Sequence, residues 1–392
     1  MSAQFKTPPL GFLIAVSLVG PFATHLIVPA LPKLQREFDT DYGTVQLVVT
    51  LFMIAFGTAQ ILVGALADAY GRRRVMIGGL VMFCIASVLC ALATSIEMLI
   101  AMRIFQGLFA SVGIVLGRAI VRDVTDGDQT ARMLGYMAMG VSVGPMLAPA
   151  VGGLLYENLG WEADFWFLAT IAATAAAFAW FFVAETHRGP ATGFRFSVLM
   201  ADFGTLLSNR RFILCGAAIC FNTAMFYCFV TGAPFVAVEL LDMTPTSYGL
   251  WFSVVALGYG LGNLMASRVT GLLRPKTIIM LGSVFVSALI VVEAGLFWTG
   301  VQSPAAMFII MGGITFSSGL IMPQALAGTM KADPSKAGSA SGLIGFTQFA
   351  FAAAFSYVGG MAIEGNASAL PLFAIMFAIS IAGTLAAVLM ED

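Results

Sequence analysis

The most telling shortage in this chain is charge. Only 10% of its 392 residues are Asp, Glu, Lys or Arg, whereas 59% are hydrophobic, and the mean hydropathy is +0.95. Because ordinary soluble domains carry about 25% charged residues, this composition excludes a water-soluble globule and predicts an integral membrane protein. The net charge of -1, with no basic tail, also gives no support to nucleic-acid binding.

Residues that carry redox, metal or nucleophilic chemistry are equally scarce. The five cysteines contain no Cys-x-x-Cys pair and all fall in apolar runs, which favours packing over disulfide or metal-binding roles. The two histidines, His25 and His187, form no cluster, and no HExxH, P-loop or Asp-rich metal motif is present. We therefore expect no cofactor, no metal and no enzymatic activity.

What the sequence has in abundance is long apolar runs. A helix needs about 20 residues to cross ~30 Å of hydrocarbon, and twelve runs reach that length. Spans 1 to 6 are predicted at 10–32, 45–67, 75–95, 98–121, 132–156 and 163–184. Spans 7 to 12 are predicted at 210–238, 247–270, 277–299, 304–328, 337–362 and 368–390. The predicted fold class is an all-α integral membrane protein with twelve transmembrane helices in two six-helix repeats.

The distribution of basic residues predicts how these spans are oriented. Sixteen of the 19 Lys and Arg residues fall at the ends and loops of one side, beginning with Lys6, and two, Lys33 and Arg36, fall on the other side. The remaining one, Arg103, falls within span 4. Since short cytoplasmic loops are enriched in Lys and Arg, both termini are expected in the cytoplasm. The predicted division is an N-terminal bundle, 1–190, a cytoplasmic linker, 191–209, and a C-terminal bundle, 210–392.

The loop between spans 2 and 3 is densely charged and reads Gly-Ala-Leu-Ala-Asp-Ala-Tyr-Gly-Arg-Arg-Arg. An acid at the end of one helix and cations at the start of the next oppose the helix dipoles, so each charge needs a partner. We expect Asp68 to meet a nearby arginine and the start of span 11, forming a conformational latch. A solvated loop is the alternative, and it explains the arginines but not the acid or the glycines. The latch residues are Gly64, Asp68, Gly71, Arg72, Arg73, Arg74 and Arg118.

An arginine inside a span is costly, at ~2.5 to 3.5 kcal/mol on insertion scales, and should face a wet cavity or a partner. We expect Arg103, with Gln106 beside it, to hold a hydrogen-bond network whose charge balance changes when a nearby site gains or loses a proton. The alternative is a side chain that snorkels to the periplasmic surface.

Span 5 carries small residues at intervals of four, which places them on one helix face and permits close helix approach. Its two prolines remove backbone hydrogen bonds and bend the helix. Such a helix between the two bundles would seal the cavity against ion leak and favours exchange over uniport, although glycine is also common in membrane helices. The residues are Gly140, Gly144, Pro145, Pro149, Gly152 and Gly153.

These three segments resemble motifs of the major facilitator superfamily of secondary transporters. The charged loop is similar to the loop 2/3 signature of that family, and Arg103-x-x-Gln106-Gly107 is similar to its buried Arg-x-x-Gln-Gly motif. Span 5 resembles the glycine-proline motif of its antiporters. The C-terminal half matches only by span count and by a worn copy of the loop, Leu264-x3-Arg268-x2-Gly271-x2-Arg274. The resemblance implies two packed repeats that work by alternating access.

Span 1 resembles the first helix of the bicyclomycin and chloramphenicol resistance branch of drug:proton antiporters, and Arg122-Asp123 and Glu185-Thr186 agree with that branch. An Asp is usual there where His25 stands in this chain. Since histidine titrates near neutral pH, His25 joins Arg103 and Gln106 as a candidate for proton coupling. The alternative is a neutral His25 bonded to a neighbouring helix.

Few acidic residues fall inside the predicted spans. Glu293 of span 9 is expected at the membrane interface, and the other acids, Asp164 included, are expected in loops or at helix ends. Proton coupling is therefore implied by the resemblance more than by visible carboxylates.

Aromatic and methionine side chains with sparse polar groups suit amphiphilic compounds, although they also serve as core packing. The candidate cavity residues are Phe22, Asn222, Met225, Phe226, Phe229, Phe346, Gln348 and Phe349.

The resemblance implies a monomeric transporter of the bacterial cytoplasmic membrane that exports small hydrophobic or amphiphilic drugs in exchange for protons. The alternatives are a metabolite exporter or a proton-coupled uptake symporter of the same superfamily. A membrane-embedded enzyme or receptor would need a catalytic cluster or a sizeable extramembrane domain, and neither is visible.

Overall fold

The computed structural model describes residues 8–125, 127–186, 196–270, 272–333, 336–363 and 368–390. Lys6, His187, Gly271 and the first part of the predicted linker, 191–195, lie outside the described residues.

Twelve long helices follow the predicted spans, and eleven of them are long and apolar enough to cross a membrane. Span 5, a helix of 33 residues, completes the set. Spans 1 to 6 are Leu10–His25 continued by Val28–Ala30 and Leu31–Glu37, Tyr42–Tyr70, Arg72–Ala91, Ile96–Ala110 continued by Val112–Val124, Gly127–Leu159 and Glu162–Phe182. Spans 7 to 12 are Arg210–Phe235 continued by Val236–Leu240, Pro245–Val269, Pro275–Trp298, Pro304–Ala332, Ala337–Ile363 and Leu370–Val388. The predicted all-α membrane fold is confirmed.

The linker contains a helix that the sequence analysis did not predict, Phe196–Leu207. It is fixed to the start of span 11 by Asp202, which accepts a hydrogen bond from the Ser339 hydroxyl at 2.7 Å and pairs with Lys336 at 3.5 Å. The end of the linker is therefore attached to the C-terminal half.

Short polar residues set where several helices begin. Asp41 accepts a hydrogen bond from the backbone N–H of Thr44 at 2.7 Å at the start of span 2, and Thr244 accepts one from Ser247 at 3.2 Å at the start of span 8. These side chains satisfy N–H groups that the first helical turn leaves unpaired. Span 1 changes pitch at a short 3-10 turn that contains Pro29, because proline cannot donate a backbone hydrogen bond.

The two halves meet along two helix pairs, span 2 against span 11 and span 5 against span 8. We call the ends of the spans that carry Glu37, Glu157 and Glu239 the acidic side, and the ends that carry Arg72 and Arg210 the basic side. The predicted orientation of the spans in the membrane depends on this asymmetry in charge.

The hydrogen bonds that join the halves among the described residues lie toward the acidic side. The Tyr42 hydroxyl and the Gln46 amide of span 2 both donate to the carbonyl oxygen of Thr231 in span 7, each at 2.9 Å. Glu157 of span 5 accepts from the backbone N–H of Thr246 at 3.0 Å and from its hydroxyl at 2.6 Å. The acidic side is thus the closed side of the molecule.

Candidate functional site

Arg103 is the largest fully buried side chain, with 0% of its surface exposed. Its Nε donates to the carbonyl oxygen of Val48 in span 2 at 3.1 Å, and one Nη donates to that of Ala23 in span 1 at 3.2 Å. The other Nη donates to Gln106 Oε1 at 2.5 Å. The arginine therefore points into the N-terminal half, and the snorkelling alternative is wrong.

Gln106 extends this network to span 3. Its amide nitrogen donates to the Ser87 hydroxyl at 2.7 Å. The guanidinium lies over the ring of Phe52, 3.9 Å from its centre, and 5.8 Å from the ring centre of Phe165 in span 6. Backbone carbonyls, an amide and aromatic faces thus solvate a buried cation, which connects four helices through one side chain.

The sequence analysis expected Asp164 in a loop or at a helix end and missed its burial. It lies in the first turn of span 6 beside Phe165, only 1% of it is exposed, and neither carboxylate oxygen has a hydrogen-bond partner. The ring centre of its neighbour Phe165 lies 5.8 Å from the Arg103 guanidinium. The signal was available, since Asp164 follows the predicted start of span 6 by one residue, but an acid so near a helix end was expected to be exposed.

Glu293 was also misplaced by the sequence analysis. It is 0% exposed instead of interfacial, and both of its oxygens lack a hydrogen-bond partner. Span 9 reaches its end at Trp298, so this acid lies more than one turn inside the helix, where neighbouring spans cover it.

His25 lies at the end of the first helical segment of span 1 and is 1% exposed. Its Nδ1 is 2.8 Å from the carbonyl oxygen of Pro21, and because a carbonyl only accepts, Nδ1 carries a proton. Nε2 is buried with no partner. The ring contacts Phe226 and Tyr227 of span 7, with centres 6.2 and 5.6 Å apart, so His25 lies on the seam between the halves.

The span 5 glycines lie at close contacts with spans 1 and 8, and at two of them the backbones touch. A Cβ on Gly152 would lie 1.9 Å from the carbonyl oxygen of Leu26 in span 1, and one on Gly153 would lie 2.5 Å from that of Pro245 in span 8. Gly140 and Gly144 instead lie against the side chains of Ile14 and Leu18 of span 1. Pro149 is buried, and its carbonyl oxygen lies against Gly249 of span 8. Pro145 is half-buried.

The loop between spans 2 and 3 satisfies its charges within the N-terminal half. Arg72 pairs with Asp68 at 2.7 Å and with Asp123 at 3.2 Å, and Asp123 also accepts from the Thr186 hydroxyl at 3.0 Å. Glu185 accepts the backbone N–H groups of Arg72 and Arg73 at 2.8 and 3.2 Å, and so caps the start of span 3.

Other residues of the predicted latch fit around this cluster. Gly71 adopts φ +95°, and a Cβ there would overlap the Glu185 carboxylate, so only glycine suits the position. Arg73 donates to the carbonyl oxygen of Trp180 at 2.6 Å. Gly64 faces Val115 of span 4, whereas Arg74 and Arg118 are exposed.

The expected contact between Asp68 and the start of span 11 is not made among the described residues. Spans 2 and 11 approach as far as Gln60, which lies against Gly345. Asp68 is two further turns along its helix, about 12 Å toward the basic side. The carboxylate therefore pairs with Arg72 in its own half.

Three of the predicted cavity residues lie inside the C-terminal half. Asn222 and Met225 line a small cavity inside the C-terminal half with Ser283 and Ser380. Phe229 is fully buried against Phe308, also inside that half.

The remaining cavity candidates lie along the seam or beside it. Phe226 faces His25, and Phe349 packs edge-on against Phe56 of span 2 with ring centres 4.7 Å apart. The backbone of Phe346 lies against Gly57, and Phe22 packs against Phe167 in the N-terminal half. Gln348 of span 11 is half-buried.

The family model described as Major Facilitator Superfamily matches residues 13–357. The chain is 24% identical over 344 residues to a bicyclomycin resistance protein homolog of Haemophilus influenzae, covering 86% of this chain and 85% of that protein. It is 26% identical over 366 residues to multidrug resistance protein D of Escherichia coli, covering 89% and 87%.

A solved structure shares the fold at low sequence identity. The xylose transporter XylE of Escherichia coli superposes with a TM-score of 0.72 at 13% identity, covering 97% of this chain and 96% of that chain.

Proposed function

Because the chain belongs to the major facilitator superfamily, we propose that it exports small hydrophobic or amphiphilic drugs across the bacterial cytoplasmic membrane in exchange for protons. It works as a monomer by alternating access of its two six-helix bundles. The names of the relatives, which include a multidrug resistance protein and a bicyclomycin resistance protein homolog, support the drug as cargo.

A buried arginine and a buried, unpaired carboxylate in the same half carry the proposal of proton exchange. Asp164 is buried without a hydrogen-bond partner, and the ring centre of its neighbour Phe165 lies 5.8 Å from the Arg103 guanidinium. An ionisable group buried inside a membrane span next to a buried cation is a candidate to bind and release the exchanged proton.

The geometry supports a connection between this pair and the seam. Arg103 holds the carbonyl oxygen of Ala23, two residues before His25, and His25 touches Phe226 and Tyr227 of the other half. A change in the charge of Asp164 alters how strongly Arg103 is held by that carbonyl. Span 1 would transmit the change to the aromatic residues that face the seam.

The inter-half contacts on the acidic side support alternating access. Tyr42, Gln46 and Glu157 close that side by hydrogen bonds that a rocking motion of the halves would break. With the basic side assigned to the cytoplasm by its arginines and lysines, this conformation faces inward. An outward-facing state would require these bonds to open.

Proteoliposomes with an imposed pH gradient test the proposal, with ethidium as the transported probe. The parent should move ethidium against a proton flux. Asp164→Asn should keep ethidium counterflow but lose its dependence on the pH gradient, because it cannot lose a proton. Glu162→Gln, a neighbouring acid that is half-buried, is the matched control and should behave like the parent.

Distinct outcomes refute distinct parts of the proposal. Counterflow by the parent that ignores the pH gradient would remove proton coupling, and protons that move in the same direction as ethidium would favour a symporter. Gradient-driven transport by Asp164→Asn at the parent rate would remove Asp164 from the mechanism. His25→Ala and Arg103→Ala test the connection to the seam in the same assay.

A further inference from the structure

Aromatic side chains from both halves form a continuous group at the seam. The ring centre of His25 lies 5.6 Å from that of Tyr227 and 6.2 Å from that of Phe226. The ring of Tyr227 lies 6.2 Å from that of Phe349 in span 11, and Phe349 in turn contacts Phe56 of span 2 with ring centres 4.7 Å apart. We call these side chains, which come from spans 1, 2, 7 and 11, the seam rings.

His25 brings an unpaired polar atom to this apolar group. Its side chain is buried, its Nδ1 donates to the carbonyl oxygen of Pro21 at 2.8 Å, and its Nε2 has no hydrogen-bond partner. In a neutral imidazole whose Nδ1 carries the proton, Nε2 is an acceptor. A buried acceptor without a partner is uncommon and costs free energy, which a donor on a bound molecule would recover.

The side chains beside His25 do not supply that donor. The phenylalanines of the group have no polar hydrogen, and the Tyr227 hydroxyl makes no bond to Nε2. The hydroxyl of Thr24, the preceding residue, already donates to the carbonyl oxygen of Gly20 at 3.0 Å. A hydrogen-bond donor for Nε2 therefore has to come from a molecule that enters the seam.

The seam rings favour a flat aromatic molecule over a flexible chain or a compact ion. Aromatic rings attract one another in offset and edge-on arrangements at centre distances of about 4.5 to 7 Å, and the seam rings already pack against one another in this way. No acid is among them, so an opposite charge does not select the cargo, although ring faces also attract a delocalised cation. An amino group on such a molecule carries the N–H that Nε2 lacks.

We propose that the seam rings bind a planar aromatic cargo that carries an amino group, whose N–H donates to His25 Nε2. The inference rests on the proposed export function and names a class of substrate for it. Stacking supplies the part of the affinity that many flat molecules share, and the hydrogen bond separates those that carry an N–H from those that do not. His25 is thus a specificity-determining residue, a role that needs no proton transfer at its ring.

The closed acidic side determines where the cargo enters in this conformation. Tyr42 and Gln46 bond to the carbonyl oxygen of Thr231, one turn beyond Tyr227 in span 7, and so block that direction. Phe226 and Phe349 are only half-buried, whereas His25 is 1% exposed. We expect the cargo to come from the basic side and to meet the half-buried rings before it reaches Nε2.

Binding of two matched cations to the full chain, purified in detergent, tests the role of His25. The probes are ethidium, a phenanthridinium with amino groups, and the same phenanthridinium without them, and isothermal titration calorimetry gives both Kd values. The test variant is His25→Phe, which keeps an aromatic ring and removes Nε2. The comparison variant is Phe349→Leu, which removes a stacking ring and leaves Nε2 in place. A thermal transition shows that each variant folds.

The ratio of the two Kd values expresses the preference for ethidium. We expect this preference to fall in His25→Phe by roughly 2- to 12-fold, the range of one net hydrogen bond. Phe349→Leu should weaken the binding of both cations and keep the preference of the parent. A preference that is the same in the parent and in His25→Phe would overturn the proposal, as would one that falls equally in both variants.

NMR of isotope-labelled histidine nitrogens gives a second measurement that leaves the seam rings unchanged. The chain has only two histidines, so the variant His187→Gln gives a spectrum of His25 alone. Ethidium should shift the Nε2 resonance in the direction of an accepted hydrogen bond, and the cation without amino groups should not. An Nε2 resonance that ethidium leaves in place would refute the hydrogen bond even if His25→Phe fails to fold.

Neither measurement uses a proton gradient, so the two proposals fail separately. Loss of proton coupling in proteoliposomes with an intact preference for ethidium would refute the proposed exchange alone. Proton-coupled transport of ethidium without the preference would refute the role of His25 alone.

Discussion

Gly153 offers the sharpest test of how the closed acidic side is built. Replacing it with alanine places a Cβ 2.5 Å from the carbonyl oxygen of Pro245 and 2.9 Å from the backbone nitrogen of Thr246. Ordinary contact begins at 3.4 Å, so the helices must separate by about 0.9 Å at this point. The obstructing atoms are backbone atoms, which cannot rotate away as a side chain would.

The cost of this clash falls on one conformation only. Overpacking a tight contact costs about 1 to 3 kcal/mol, and spans 5 and 8 touch at Gly153 when the acidic side is closed. A cost of that size in one of two conformations changes the ratio of their populations by roughly 5- to 150-fold. We therefore expect Gly153→Ala to shift the protein toward the state with an open acidic side.

Spin labels at Asn158 and Gln302 report this change, because the two residues are exposed near the acidic side in opposite halves. Their distance distribution should gain a longer component in Gly153→Ala. Gly260→Ala in span 8 is the matched control, since a Cβ at that position has nothing within 4 Å. An unchanged distance distribution in Gly153→Ala would show that the glycine contact does not set the closed state.

Two further predictions concern helix starts. Glu185→Ala should lower the free energy of unfolding by about 1 kcal/mol, as the loss of a helix cap does, while Glu185→Gln should keep part of it because an amide oxygen still accepts; equal thermal stability of parent and Glu185→Ala would contradict this. The hydroxyl and the backbone N–H of Thr44 hold the pKa of Asp41 below its ordinary value of 3.8, so Asp41 stabilises the fold above that pH and loses the contribution as the pH falls through its folded pKa. The stability difference between the parent and Asp41→Ala should therefore shrink on acidification, and a difference that grows instead would contradict the capping role.

The spans and the motif positions could be predicted because they depend on local properties of the chain. A run of about 20 apolar residues predicts a helix wherever it lies, and an arginine inside such a run must find partners. Arg103 and Gln106 were expected to act together, and they share a hydrogen bond of 2.5 Å. The glycines of span 5 were expected to permit close approach, and backbone atoms of spans 1 and 8 lie against them.

The partners of charged residues could not be predicted in the same way, because they depend on how the helices pack. Asp68 was expected to reach span 11, but the approach of spans 2 and 11 at Gln60 leaves it beside Arg72. Asp164 was expected in a loop or at a helix end and Glu293 at the membrane interface, and the burial of neither was predicted. Both lie on helices whose neighbours cover them, and hydropathy along the chain does not contain that information.

The location of the buried ionisable groups constrains any mechanism of coupling. The N-terminal half holds Arg103 and Asp164, while Phe226 and Tyr227 of the C-terminal half face the seam. If Asp164 exchanges the proton as proposed, one route from its partner Arg103 to those rings is an element that contacts both. Span 1 meets this condition, because Arg103 binds its backbone at Ala23 and His25 contacts both rings. Under the proposed function, we therefore expect His25, which stands where an aspartate is usual, to transmit the protonation of Asp164 to the seam instead of carrying the proton itself.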